Sequence, residues 1–263
     1  MMGPAHSLSG AAAWLGVGAA AAGAGYPMPW PVLVCGALIC AGAALAPDLD
    51  HKSATISRSF GPLSRMVCDV VDKLSHAVYK ATKMRGDSNR SGGHRTLTHT
   101  WLWAALVGGG MSLLAVEGGR WAVLGILFVH MVLAIEGLLW RAARVSSDIL
   151  VWLLGATMAW ILVGILDEPG NGAGWLFTDP GQEYLWLGLP IVLGALVHDI
   201  GDALTVSGCP ILWPIPIGRK RWFPVGPPQA MRFRAGSWIE LKILMPAFML
   251  LGGIGALGAL GYV

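Results

Sequence analysis

Charge is what this sequence lacks most. Of 263 residues only 13% are Asp, Glu, Lys or Arg, about half the share of a soluble domain. Hydrophobic residues make up 55%, mean hydropathy is +0.61, and 37 glycines are about twice the usual number. A chain so poor in polar side chains cannot cover its own surface in water, which excludes a soluble globular domain, and it is equally unlike disordered or collagen-like sequences. Cysteine is scarce as well. Cys35 and Cys40 lie in an apolar run, Cys68 and Cys209 stand apart, and no CxxC spacing exists, so disulfide frameworks and zinc-thiolate fingers are excluded. No phosphate loop, dinucleotide fingerprint or serine-nucleophile elbow is present. No Lys or Arg precedes Lys52. The Ala-rich start therefore lacks the basic region of a signal peptide, and a retained first helix is expected.

What remains is a polytopic membrane protein. Apolar stretches at 7–25, 29–46, 100–116, 121–140, 148–166, 184–204 and 243–261 are each long enough for a helix to cross about 30 Å of hydrocarbon. Their continuity, without alternation, argues against a β-barrel. The expected architecture is an all-α membrane helix bundle of about seven transmembrane helices, forming one domain over 1–263. Trp101, Trp103, Trp121, Trp140, Trp175 and Trp186 fall near span ends, where indole prefers the headgroup level.

The 18 basic residues are distributed unevenly. Nine lie in 51–99, six in 205–242, two (Arg141 and Arg144) in 141–147, and only Arg120 in 117–120. With seven spans this is a 17-to-1 split, and the acidic loop 167–183 joins the Arg120 side. Positive-inside bias then places 51–99, 205–242 and the N-terminus in the cytoplasm of a multi-pass inner-membrane protein. Within 51–99, apolar residues from Leu63 to Ala81 recur at helical spacing, predicting an amphipathic helix that either lies in the headgroup plane over a site or packs as a connector. The Pro-rich segment 208–236 is expected to be irregular or to hold a short hairpin.

Ionisable residues at the ends of apolar spans mark functional sites. His6 starts the first span, Asp48 and Asp50 with His51 end the second, His94 and His99 precede the third, and His198 and Asp202 end the sixth. All fall at one membrane face. His198 and Asp202 are four residues apart and share a helix face; Asp48 and Asp50 follow Pro47, where a loosened helix end can turn both carboxylates inward. Four imidazoles and three carboxylates form a donor set suited to zinc, manganese or iron, and large enough for two ions. His130, alone in the fourth span, reads as a hydrogen-bonded core histidine. Glu136 is placed to pair with Arg141 or Arg144, and His76 reads as a surface residue of the amphipathic helix.

Three segments carry a resemblance. Leu45-Ala46-Pro47-Asp48-Leu49-Asp50-His51, Gly93-His94-Arg95-Thr96-Leu97-Thr98-His99-Thr100 and His198-Asp199-Ile200-Gly201-Asp202-Ala203-Leu204-Thr205 look like the YdjM-like membrane-bound metal-dependent hydrolases, of the LexA-regulated type. The tail Phe233-Arg234-Ala235-Gly236-Ser237-Trp238-Ile239-Glu240 is similar to that family's closing motif. The family is grouped with zinc-dependent phospholipase C and single-strand nucleases. The resemblance implies a helical metallohydrolase acting on a phosphoester, with His6, Asp48, Asp50, His94, His99, His198 and Asp202 as ligands. It further implies that Arg95 contacts substrate oxygens and that Glu240 is an extra ligand or a base behind the ligands; the stretch 120–185 exceeds what short members carry. In such a reaction a free carboxylate, Asp50 or Glu240, is expected to accept the proton of a metal-bound water. An amphiphilic phosphoester, such as a phospholipid, is the expected substrate, with the bilayer as partner. Nucleic acid is not favoured, because positive-inside bias already accounts for the basic loops. A divalent-metal transporter and a non-catalytic scaffold with structural zinc are the rival readings.

Overall fold

A computed structural model describes residues 1–89, 92–143, 145–172 and 174–262. Its regular structure is helical: α1 (Gly3–Gly23), α2 (Trp30–Ala43), α3 (Pro62–Thr82), α4 (Trp101–Leu138), α5 (Trp140–Ala143), α6 (Asp148–Leu166), α7 (Gly188–Ala203) and α8 (Met245–Ala259). Proline sits in the first turn of α1, α2 and α3, where its missing N–H breaks no helical bond. Thr100 caps α4 by accepting from the Trp103 N–H, and Ser147 caps α6 by accepting from the Leu150 N–H, satisfying donors that a helix start otherwise leaves unpaired.

Five stretches among the described residues are long and apolar enough to cross a membrane: Trp30–Asp50, Trp101–Leu138, Asp148–Leu166, Leu185–Ala203 and Glu240–Ala259. The seven apolar runs of the sequence are all helical over most of their length, but they do not map one to one onto these five. Two of them are limbs of α4, which turns at Gly119 (φ 56°, ψ −151°), a left-handed conformation that glycine adopts without steric cost. α4 begins just after His99, and near its end Gly137 packs against Ser7 and Leu45, so both ends of α4 lie at the end of the bundle that carries His6 and Asp48. α1, with thirteen Ala or Gly among 21 residues, is not among the five. It packs closely along α8, Gly252 beside Ala12 and Gly255 against the backbone of Leu15 and Gly16.

The core joins α1, α2, α4, α6 and α7 through Trp14, Ile39, Leu127, Met131, Val163 and Ile191. Such side chains fill space between helices that small residues draw together. A methyl group on Gly42, for example, would overlap the His130 carbonyl oxygen. At the end remote from Asp48, Arg120 forms an ion pair with Asp167, and the Tyr184 hydroxyl donates to the same carboxylate. The Arg120 turn and the acidic loop thus lie together. The segment 208–236 is mostly irregular, with a tight Ile217–Lys220 turn and a Cys209–Val225 pairing, in keeping with its prolines.

Candidate metal centre

Three parts of the chain converge at one end of the bundle. After α2, Pro47 stops the helix and the chain makes a 3-10 turn over Ala46–Asp50, which turns Asp50 inward to full burial and leaves Asp48 partly open. The loop before α4 delivers His94 and His99, the latter in a second 3-10 turn, Leu97–His99. α7 delivers His198 and Asp202 from one face, four residues apart.

Asp48, His99, His198 and Asp202 close into one group. His99 Nε2 and His198 Nε2 are 3.3 Å apart. Asp48 Oδ1 lies 3.5 Å from the first and 3.7 Å from the second, and Asp202 Oδ2 lies 3.7 and 3.8 Å from them. Two ligands of a tetrahedral zinc, each about 2.0–2.1 Å from the ion, stand roughly 3.4 Å apart. The spacing therefore fits four donors around one cation.

The outer contacts of the two rings support the same fit. His198 Nδ1 lies 2.8 Å from the Ala44 carbonyl oxygen, so it carries the hydrogen and leaves Nε2 with a lone pair. Thr98 Oγ1 donates to Asp50 Oδ2 at 2.6 Å and lies 2.9 Å from His99 Nδ1. With its own hydrogen on Asp50, the hydroxyl accepts from Nδ1–H, and the His99 lone pair also faces inward. Two buried lone pairs at 3.3 Å repel each other unless a cation or a proton lies between them. Burial opposes charge on His99, but Asp50, Asp48 and Asp199 outweigh it and raise this imidazole to about 9. Without a metal, a proton takes the cation's place.

A second group overlaps the first: Asp48, Asp50, His94 and His99. Asp50 is its hub, with Oδ1 2.9 Å from His94 Nδ1 and Oδ2 accepting from Thr98 and from the Arg95 backbone N–H at 3.2 Å. The His51 ring lies 4.4 Å from that of His94. Buried Asp and His groups are thus positioned to bind a metal ion.

The other sequence-predicted residues lie around this core. His6 is buried and stacks face to face on His198, with centroids 3.7 Å apart at 17°. Its Nε2 is 3.4 Å from Asp202 Oδ1, so it buttresses the ring and carboxylate and belongs to neither four-residue group. Arg95 reaches Asp202 Oδ2 at 2.7 Å and Thr205 Oγ1 at 3.1 Å. Its backbone is left-handed, φ 56°, a conformation costing a non-glycine residue roughly 1–2 kcal/mol, and those side-chain bonds hold it there. Glu240 is buried in a π-helical turn and accepts the backbone N–H groups of Met2 at 2.5 Å and Gly236 at 2.7 Å. These contacts tie the start of α1 to the turn that leads into α8.

Away from the centre, His130 donates from Nδ1 to the Ile126 carbonyl at 2.7 Å, as a core histidine does. The Glu136 carboxylate accepts from Ser59 Oγ. The Arg141 guanidinium stacks over Trp140, and Arg144 lies outside the described residues, as do Arg90 and Ser91. His76 is half-buried. Sequence reasoning did not single out the supporting role of Thr98 or of the Ala44 carbonyl. The first had a visible signal, a hydroxyl directly preceding a ligand; a backbone carbonyl has none. Asp199 was visible as an ionisable residue in a span. It is fully buried, and its carboxylate has no hydrogen-bond partner among the described residues.

A family model described as YdjM inner membrane protein matches residues 1–143. That range includes His6, Asp48, Asp50, His94 and His99 and ends before His198 and Asp202. No curated protein and no solved structure matches the chain.

Proposed function

The chain belongs to the YdjM inner membrane protein family, and from that premise we propose that it is a membrane-bound metal-dependent hydrolase cleaving a phosphoester at the cytoplasmic face. The observation that carries this reading is the inward-facing donor set of Asp48, His99, His198 and Asp202. In this reading the seven apolar runs all cross the membrane, the N-terminus is cytoplasmic, and the residues would hold two ions, zinc by preference over manganese or iron, one among Asp48, His99, His198 and Asp202 and the other among Asp48, Asp50 and His94. A divalent ion held there supplies Lewis acidity and brings the pKa of water toward about 7.

The protein's own residues do the rest. Asp50, already a hydrogen-bond acceptor from three directions, is the group placed to take a proton at Oδ1 when His94 turns toward a metal. Arg95, whose guanidinium is partly open at the rim, offers charge to phosphate oxygens. Glu240 drops from catalytic base to a positioning role, since backbone N–H groups occupy both its oxygens. An amphiphilic substrate such as a phospholipid suits a site at the level of the helix ends.

One observation favours a second reading. Four protein donors around one point resemble the closed coordination of a structural zinc, which would make the protein a scaffold. A transporter is less favoured, because the deep His130 is engaged by its own helix.

The test is a phosphoester panel, from phospholipids to prenyl phosphates, offered to zinc- and manganese-loaded protein beside His99→Ala and Asp202→Ala. Hydrolysis lost by at least a hundredfold in both variants supports the enzyme. Bound metal without hydrolysis of any ester supports the scaffold.

A further inference from the structure

α3 divides its surface into three stripes, and the divisions are not those of an ordinary packed helix. Ser64, Cys68, Val71, Ser75 and Tyr79 are buried against the protein. Leu63, Met66, Val67, Val70 and Leu74 are apolar and exposed. Arg65, Asp69, Lys73 and Lys80 are exposed and charged. At about 100° per residue the three stripes lie roughly 120° apart. The leucines and the methionine of this helix thus face away from the protein, while Cys68, Val71, Tyr79 and two serines face it. A helix in water would be arranged the other way round.

A place where protein, hydrocarbon and water meet has this three-way division, and the bilayer interface beside a membrane-spanning bundle is such a place. The chain reaches α3 from Trp30–Asp50 and leaves it for Trp101–Leu138, both long and apolar enough to cross a membrane. The basic residues of the charged stripe suit anionic headgroups.

The protein-facing side of α3 holds the loop that delivers His94 and His99. Gly93 N–H donates to Asp72 Oδ1 at 2.7 Å, and Thr96 Oγ1 is 3.5 Å from the Ser75 carbonyl. Gly93 lies so close that a methyl group there would overlap the Asp72 carbonyl oxygen. These contacts bracket His94 and sit just before His99.

We propose that α3 seats in the bilayer interface through Leu63, Met66, Val67, Val70 and Leu74, and that this seating holds the His94–His99 loop in its ligand-presenting form. Site assembly is thereby coupled to the lipid surface. The inference deepens, and rests on, the reading of His94 and His99 as metal ligands.

Full-length protein in phosphatidylcholine–phosphatidylglycerol vesicles tests it in two parts. Spin labels on Val70→Cys and Asp69→Cys report depth: the label at 70 should collide with oxygen, and the label at 69 with a water-soluble chelate. Equal chelate access at both positions, or spin–spin broadening at 70 from a second copy, overturns the seating. Hydrogen exchange of residues 92–99 reports the coupling. It should quicken at least tenfold in Val70→Asp and stay unchanged in Asp69→Asn, with exchange in α2 and α7 preserved in both. Unchanged exchange at 92–99 in Val70→Asp overturns the coupling. Zinc titration of the same wild-type vesicles is read separately: no binding there defeats the metal reading alone, since depth and exchange are measured without added metal.

Discussion

His99 and His198 point their Nε2 atoms at each other across 3.3 Å, and each ring has its Nδ1 engaged by a partner on its far side, Thr98 for one and the Ala44 carbonyl for the other. Such a pair is arranged for a cation between the rings.

Thr98 should therefore matter through the metal. Thr98→Val keeps the shape but leaves His99 Nδ1 and buried Asp50 each short of a partner. Zinc affinity is expected to fall about 10- to 100-fold, the range for outer partners of metal ligands, and stability by about 1–3 kcal/mol. Thr98→Ser, which keeps the hydroxyl, should recover most of the affinity. Competition with a chromophoric chelator measures it; equal affinity in all three proteins would contradict the assignment.

Protons should compete with the metal. The metal-free His99 is held near 9 by surrounding carboxylates, above its ordinary 6.5, so it is protonated at neutral pH and must lose that proton to bind an ion. Apparent zinc affinity is expected to rise about tenfold per pH unit from pH 6.5 to 8.5 if this single proton governs it. Proton release in calorimetry, compared across buffers of different ionisation enthalpy, checks the sign.

Gly42→Ala tests the packing that brings Asp48 into place. Its methyl would overlap the His130 carbonyl, and overpacking of this kind costs about 1–3 kcal/mol. A lower thermal midpoint in detergent is expected. Asp167→Asn, at the remote end, removes a partly exposed ion pair worth about 0–1 kcal/mol and should leave metal content untouched.

Much of the site was legible in the sequence because membrane spans make polar residues conspicuous. His198 and Asp202 share a face by spacing alone, and charge asymmetry groups them with Asp48 and His99. Two features were not legible. Whether 100–116 and 121–140 form one helix or two depends on the backbone of Gly119, which hydropathy does not register. The relative placement of the site residues is geometric: His6, a ligand by position in the sequence, lies stacked on His198 and outside both four-residue groups, and Glu240, a base by resemblance, accepts two backbone N–H groups. The outward apolar stripe of α3 was legible as amphipathicity; which face meets the protein was not.

Metal content decides the central claim most directly. Mass spectrometry of purified protein, after zinc loading and buffer exchange, is to be compared with His198→Ala and Asp202→Ala, each checked for an unchanged circular dichroism spectrum. At least one equivalent of zinc is expected in the wild type, and a loss of at least one equivalent in each variant. Folded wild-type protein without zinc, manganese or iron, or variants that retain the full complement, would contradict it.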